Sequence, residues 1–418
     1  MTAPDKILTE LLDAAIREAQ PANFLRRHLG GLRRRPRIVL GAGKAAAAMA
    51  QVLEDAWSEP LHGLVVVPHG YGVRCRNIEV IEAAHPVPDT AGEDVSRRML
   101  QMVSGLEEED EVVLLLSGGG SALLGMPAEG ISLEDKKRLN RSLLRSGATI
   151  AEMNCVRKHV SAIKGGRLAV ACWPASLHSF AISDVPGDDS SVIASGPSVA
   201  DPTTSQDALE VIERFRIDAS EAVLTWLRDP RSETPKPGDE RLSRSTFTIV
   251  ATPQGSLEAA AKVATDHGYS PLILGDLEGE AREVAKVHAG VARQVRKYNQ
   301  PVPAPCVIIS GGETTVTVRG KGRGGRNTEF LLSLLNELKG EPEVFAIAAD
   351  TDGIDGSESN AGAVMTPLTY GQAKKHGMEP SAYLANNDGY SFFDQLDGLI
   401  FTGPTNTNVN DFRAVIVA

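Results

Sequence analysis

Cysteine is scarce in this 418-residue chain: Cys75, Cys155, Cys172 and Cys306 stand far apart. No CxxC occurs and no Cys/His pair has zinc-ligand spacing, which argues against a structural zinc site. Four half-cystines would make a thin disulfide framework, so a reducing, cytoplasmic setting is expected. An apolar run near the roughly 20 residues a membrane helix needs is also missing. The start, Met1-Thr2-Ala3-Pro4-Asp5-Lys6, lacks a positive-then-apolar signal pattern. Positive charge is in deficit, with 43 Lys plus Arg against 54 Asp plus Glu and a net charge of −11. A general nucleic-acid binder needs clustered cations to neutralise phosphates, so neither nucleic acid nor membrane is expected as a partner. The one dense basic run, Arg26-Arg27 to Arg33-Arg34-Arg35, reads as solvated surface. No fixed-period repeat occurs.

What is present is an alternation of short apolar runs with longer amphipathic segments. Candidate strands lie at 37–40, 63–67, 112–116, 179–182, 246–250, 306–309 and 344–348, with two more at 399–401 and 414–417. Their near-continuous apolar character suits strands buried on both faces, as in parallel sheets. Residues 45–57, 90–106 and 328–338 read as helices. The βαβα pattern predicts an α/β fold with mostly parallel sheets. A stretch rich in Pro, Gly and charge at 229–245 reads as a linker or long loop that divides the chain near its middle.

Several glycine-rich or acidic strings follow predicted strands. Gly41-Ala42-Gly43-Lys44-Ala45-Ala46 matches GxGxxA, the dinucleotide fingerprint, in a strand-to-helix setting. The next strand ends Val67-Pro68-His69-Gly70 and lacks the acidic residue that would hold a ribose hydroxyl. Lys44, at the predicted positive end of a helix, would favour a nearby anion. Ser117-Gly118-Gly119-Gly120-Ser121 places costly consecutive glycines where backbone N–H groups could converge on phosphate. Ser310-Gly311-Gly312-Glu313 weakly echoes it. Residues 154–168 concentrate Arg157, Lys158, His159, Lys164 and Arg167; a solvated basic helix is the plain reading and a polyanionic substrate the sharper one. Two Asp-rich loops, 183–191 with Asp189 and 350–356 with Asp352, suit either Asx turns or a hard cation with phosphate. The second resembles the start of an EF-hand loop, but position 12 is Ala361, which rules that out. Arg326 follows four glycines between 320 and 325, so its guanidinium is expected to move onto a ligand.

Together these strings resemble the class II glycerate kinases, the family with a MOFRL C-terminal domain. The matching strings are GAGKAA, HPVPD, SGGGSALL, NCVRKHVSAIKGGRLA, SDVPGDDSSVIASGPSVADPTT, SGGETTVTV, GKGRGGRNTEF, DTDGIDG and GPTNTNVND, in order from residue 41 to residue 411. Thr328 stands where Gln is usual in the family, and Asn406 where Gly is usual. The resemblance implies ATP-dependent phosphorylation of D-glycerate to 2-phosphoglycerate in the cytoplasm. It implies a Rossmann-like N-terminal domain (1–235), a smaller α/β domain (246–418) whose last strands could pack on the first domain, and an inter-domain cleft. Assembly as a homodimer is left open. Lys44 and Arg326 are the motif cations carried over, and both, with Asp189, are assigned to catalysis. Gly118, Gly119, Gly120, Ser121, Gly312 and Glu313 are assigned to ATP and phosphate, and Arg157, Lys164 and Asn327 to substrate. Asp352 is assigned to Mg2+, the expected cofactor beside ATP. Two rival readings are an NAD(P)H-dependent hydroxypyruvate reductase, favoured only by GxGxxA, and a non-catalytic sugar-phosphate sensor.

Overall fold

The computed structural model describes residues 3–32 and 34–418. Arg33 of the basic run and Met1-Thr2 lie outside these; Arg26, Arg27, Arg34 and Arg35 are exposed. The chain forms two compact units, one of Phe24–Val250 and the other of the N-terminal helix with Ala251–Ala418.

The first unit is built on a six-stranded sheet of β1 (Ile38–Ala42), β2 (Gly63–Pro68), β3 (Glu79–Ala83), β4 (Glu111–Leu116), β5 (Ser176–Ile182) and β6 (Ser245–Ala251). The order is β3-β2-β1-β4-β5-β6 and the strands run parallel. This is the order of a doubly wound sheet, whose direction of winding reverses between β1 and β4. Every residue of β1 and β4 is buried, which explains their unbroken apolar runs. β3 at the edge reads Glu-Val-Ile-Glu-Ala and is only partly covered, so it carries charge where a central strand could not.

The second unit holds β7 (Ser270–Asp276), β9 (Cys306–Gly311), β11 (Val344–Asp350), β12 (Gly362–Met365), β13 (Leu399–Ile400) and β14 (Asp411–Val417), in the order β13-β12-β11-β14-β9-β7. A short parallel pair joins β8 (Gly279–Glu280) to β10 (Thr314–Thr315). The larger sheet is mixed: β14 runs antiparallel to both β11 and β9. The expectation of parallel strands is thus corrected here. Apolar runs report burial on both faces rather than strand direction, and this sheet is covered on both sides. Phe412, Ala414 and Ile416 face one apolar cluster; Val415 and Val417 face the other. The N-terminal helix Pro4–Glu18 belongs to the first of these clusters. Its stripe Ile7, Leu8, Leu11, Leu12 and Ala15 packs with Leu257, Ala260 and Ala264 of the helix Pro253–Asp266. The two final strands join this sheet. Among the described residues no helix is long and apolar enough to cross a membrane.

Candidate active site

The loops after β1 and β4 interlock where the sheet reverses its winding, the place where open α/β sheets bind ligands. Gly41 and Ala42 lie inside β1, so the connection to the helix Ala46–Ala56 is only Gly43-Lys44-Ala45. All three of its amides are engaged internally: Gly43 N donates to Val66 O (3.1 Å), Lys44 N to Gly118 O (2.9 Å) and Ala45 N to Ser117 Oγ (2.9 Å). In a dinucleotide fold such amides face the pyrophosphate. Here the amides of Lys44 and Ala45 fasten one glycine loop to the other, and that of Gly43 ties the turn to β2. Gly43 has φ +130°, and a Cβ there would lie 2.3 Å from Ser117 Oγ and 2.4 Å from Ser117 O. Gly43→Ala is therefore expected to lower stability by at least about 2 kcal/mol, through overpacking and a backbone angle that an L side chain resists. Equilibrium denaturation of the purified variant checks this.

Across from it, Gly119 (φ +85°) presents its Cα to the His85 ring, with only 3.1 Å for a Cβ. The N–H groups of Gly118 and Gly119 donate to no backbone carbonyl among the described residues. Ser121 is tied in by two contacts: its Oγ lies 2.7 Å from Ser195 Oγ, and Lys164 Nζ donates to its carbonyl (2.6 Å) and hydroxyl (3.0 Å). Ala194 (φ 50°) and Ser195 (φ 60°) hold left-handed angles unusual for non-glycine residues. They are fixed by Gly165 and Gly166, whose amides donate to Ser195 O (3.1 Å) and Gly196 O (2.7 Å). This pairing sets the position of Lys164.

The basic run does not form a solvated helix. In the helix Ile150–His159, Lys158 and His159 are buried against Asp201, at 3.5 and 4.0 Å. Arg157 turns the other way and donates through Nε to Asn140 Oδ1 (3.1 Å). Arg157, Lys164 and Lys136, the last unmarked by any motif, line one cavity of about 270 Å3 with His85, Gly119 and Ser121. Burial lowers the pKa of Lys136 to about 7 and that of Lys164 well below its ordinary value. Mutual repulsion with Arg157 adds to both shifts. Asp189 is exposed on the loop after β5, and its Oδ1 accepts from Ser191 N (2.8 Å) as an Asx turn.

In the second unit, Arg326 is the first residue of the helix Arg326–Leu338. It donates through Nε to Asp411 (2.6 Å), through Nη2 to Asp350 (2.8 Å) and through Nη1 to Glu313 (3.2 Å). Burial opposes its charge, but these carboxylates outweigh that and hold its pKa above the ordinary value. The expected free swing of this guanidinium is corrected: distant acids pin it. Asn327 Nδ2 donates to Asp411 (2.8 Å), and the amides of Asn327 and Thr328 donate to the two oxygens of Asp355 (2.9 Å each). The Thr328 hydroxyl also donates to Asp355 (2.8 Å), so the residue that replaces the usual Gln closes the helix start. Asn406 adopts φ 58°, the left-handed angle that a glycine would take there. Gly312 (φ +93°) packs on the Leu277 backbone, and Glu313 is exposed apart from its contact with Arg326.

Asp352 is buried, and its Oδ1 accepts from Ile354 N (2.8 Å). Among the described residues no three His, Cys, Asp or Glu side chains form a metal cluster. Both oxygens of Asp355 and of Asp411 accept internal hydrogen bonds. The donor set fits a cation that arrives on phosphates and takes a single carboxylate, rather than a protein-built cage.

The domain described as DUF4147 matches residues 7–228 and the MOFRL family matches residues 306–411. A protein of Agrobacterium vitis with the provisional name hydroxypyruvate reductase is 49% identical over 99% of this chain and 94% of its own length. D-glycerate 2-kinase of Thermotoga maritima is 39% identical over 97% of this chain and 96% of its own. The crystal structure of the glycerate kinase from the same organism superposes with a TM-score of 0.90, at 38% identity and 99% coverage of both chains. The two matched domains, the motif order and the shared structure place this chain in the class II glycerate kinase family, the enzymes with a MOFRL domain.

Proposed function

We propose that the protein transfers the γ-phosphoryl group of ATP to the 2-hydroxyl of D-glycerate, releasing ADP and 2-phosphoglycerate. The observation that carries this reading is the interlocked pair of loops at the sheet's switch point. Their amides in the GxGxxA loop are occupied internally, while Lys44 and a cation-lined cavity stand beside the Ser-Gly-Gly-Gly-Ser loop. That chemistry suits small anions and phosphates, and it counts against a bound dinucleotide.

Phosphoryl transfer needs positioning and charge neutralisation more than covalent chemistry. Gly118, Gly119, Gly120 and Ser121 would hold phosphate through the backbone, and Arg157, Lys164 and Asn327 would contact substrate. Gly312 and Glu313 remain assigned to the nucleotide side. Lys44 and Arg326 are assigned to the charge that grows on the transferred group. Asp189 is the candidate acceptor of the hydroxyl proton. Asp352 would be the protein contact of a divalent cation accompanying ATP, which would supply neutralisation of phosphate charge.

A coupled ADP-release assay across D-glycerate, hydroxypyruvate and tartronate tests the reading. Glycerate-dependent ADP release is expected, and its absence would refute the kinase assignment. Excess EDTA is expected to abolish turnover, because phosphate charge would go uncompensated. Undiminished turnover in EDTA would remove the cation from the account.

A further inference from the structure

Two buried lysines, Lys136 and Lys164, and the half-buried Arg157 share one small cavity in the first unit, and Lys136 lies outside every family string. We propose that Lys136, Arg157 and Lys164 bind the carboxylate of the hydroxy-acid substrate, and that Lys136 is a specificity-determining residue selecting an acid over a neutral polyol. This rests on the glycerate kinase reading and adds the location of the acid group.

Lys136 lies on the helix Leu133–Arg145, whose buried stripe is Leu133, Lys136, Leu139 and Leu143. A lysine at a core position of an amphipathic helix is costly unless something answers its charge. Its Nζ donates only to neutral carbonyls, Gly125 O (2.9 Å) and Met126 O (3.1 Å). Lys164 Nζ is met by Ser121 O and Oγ, and Arg157 Nε by the Asn140 amide oxygen. Among the described residues, none of the three forms an ion pair within 4.0 Å with Asp or Glu. Elsewhere in the molecule buried cations are matched by acids, as Lys158 is by Asp201 and Arg413 by Asp411. The cavity therefore concentrates positive charge with no acid in direct contact, Glu93 acting on Lys136 only at longer range, in a site where charge-assisted hydrogen bonds are strong. At about 270 Å3, it is smaller than the roughly 300–1,000 Å3 of pockets for drug-sized ligands. It thus suits a three-carbon acid better than a nucleotide. The hydroxyl of Ser121 and the Gly119 backbone at its wall lead to the glycine loop assigned to phosphate.

The charged and titratable groups facing Lys136 are Glu93, Arg157 and Lys164, with His85 on the cavity wall. A lysine held near pH 7 by burial is partly neutral in the empty site and is recharged by an incoming carboxylate. Affinity for the acid should then be level below about pH 7. Above it, affinity should fall by up to about tenfold per pH unit, because the bound state takes up a proton that the free state has lost.

The test measures KM for D-glycerate and for ATP in the full-length protein and in Lys136→Met. Loss of one charged hydrogen-bond donor should raise the glycerate KM at least about tenfold, with the ATP KM shifted less than about twofold. Lys137→Met, on the neighbouring position that pairs with Glu134, serves as the control and should leave both values in place. An unchanged glycerate KM in Lys136→Met would overturn the proposal, and so would a raised ATP KM, which would put nucleotide phosphates in the cavity. Calorimetric titration of wild-type protein with D-glycerate, with a non-hydrolysable ATP analogue present, is independent of how the variant folds. A flat affinity from about pH 6 to 9 would contradict the predicted recharging of Lys136. If wild-type protein binds glycerate with this pH profile yet releases no ADP, the kinase reading fails and the carboxylate pocket stands.

Discussion

Arg326→Ala is expected to lower kcat at least about a hundredfold, since a positioned arginine in phosphoryl transfer contributes roughly 10³–10⁵. It should also destabilise the protein. The guanidinium answers Asp411 and Asp350, which are both buried; its removal takes this cation from Asp350 and leaves Asp411 to Arg413. Breaking such a partly buried network by removing one partner costs about 3 kcal/mol, or roughly 6–12 °C in Tm for a unit of this size. Arg326→Lys separates the two effects. An ammonium keeps the charge balance and much of the stability but cannot make three planar, divergent contacts, so activity should recover poorly. Arg323→Ala is the comparison. Arg323 pairs with Glu358 at an exposed site and lies over the Tyr390 ring, so its loss should change stability by only about 0.5 kcal/mol. Steady-state kinetics with melting curves on the three variants give the answer. Wild-type kcat in Arg326→Ala would remove this residue from the mechanism.

Lys44→Met should lower kcat by about 10²–10³, the usual cost of losing one group that stabilises transition-state charge. The expected stability change is much smaller than for Arg326→Ala. The connection is held by three backbone amides and by the close fit of Gly43, none of which the substitution removes, and Lys44 itself is half-buried. An intact melting curve together with a large loss of kcat is the signature of a group spent on chemistry. A matching loss of stability without a kinetic defect would make Lys44 structural.

Much of this molecule was legible in the chain. The apolar runs of β1, β2 and β4 are buried along nearly their whole length, and the glycine strings begin within or directly after β1, β4 and β9. What escaped the sequence escaped for physical reasons. β3 carries Glu79 and Glu82 among its apolar residues at a sheet edge, and β12 spans only Gly362–Met365, so neither shows a continuous run. The antiparallel placement of β14 leaves no trace in a strand covered on both faces. The glycines before Arg326 suggested freedom, but its partners lie 24 and 85 residues away in sequence. In the Asp-rich string that begins at the end of β11, Asp350 holds Arg326 and Asp355 closes the start of a helix, roles that spacing alone does not reveal, while Asp352 keeps its assignment to the cation. Lys136 was hidden by Lys137 beside it. Its place in the stripe with Leu133, Leu139 and Leu143 was the available signal, because a solvated lysine has no reason to keep helical register with buried leucines.

The central claim is phosphoryl transfer to the secondary hydroxyl of glycerate. Phosphorus NMR of the product formed from D-glycerate and MgATP, recorded without proton decoupling, tests it most directly. A phosphate on the 2-oxygen couples to the single proton of its carbon and gives a doublet; on the 3-oxygen it couples to two and gives a higher multiplet. The account predicts the doublet growing in step with ADP. A product phosphorylated at the 3-oxygen would contradict the regiochemistry, and NADH oxidation with hydroxypyruvate in place of any phosphorylated product would contradict the function.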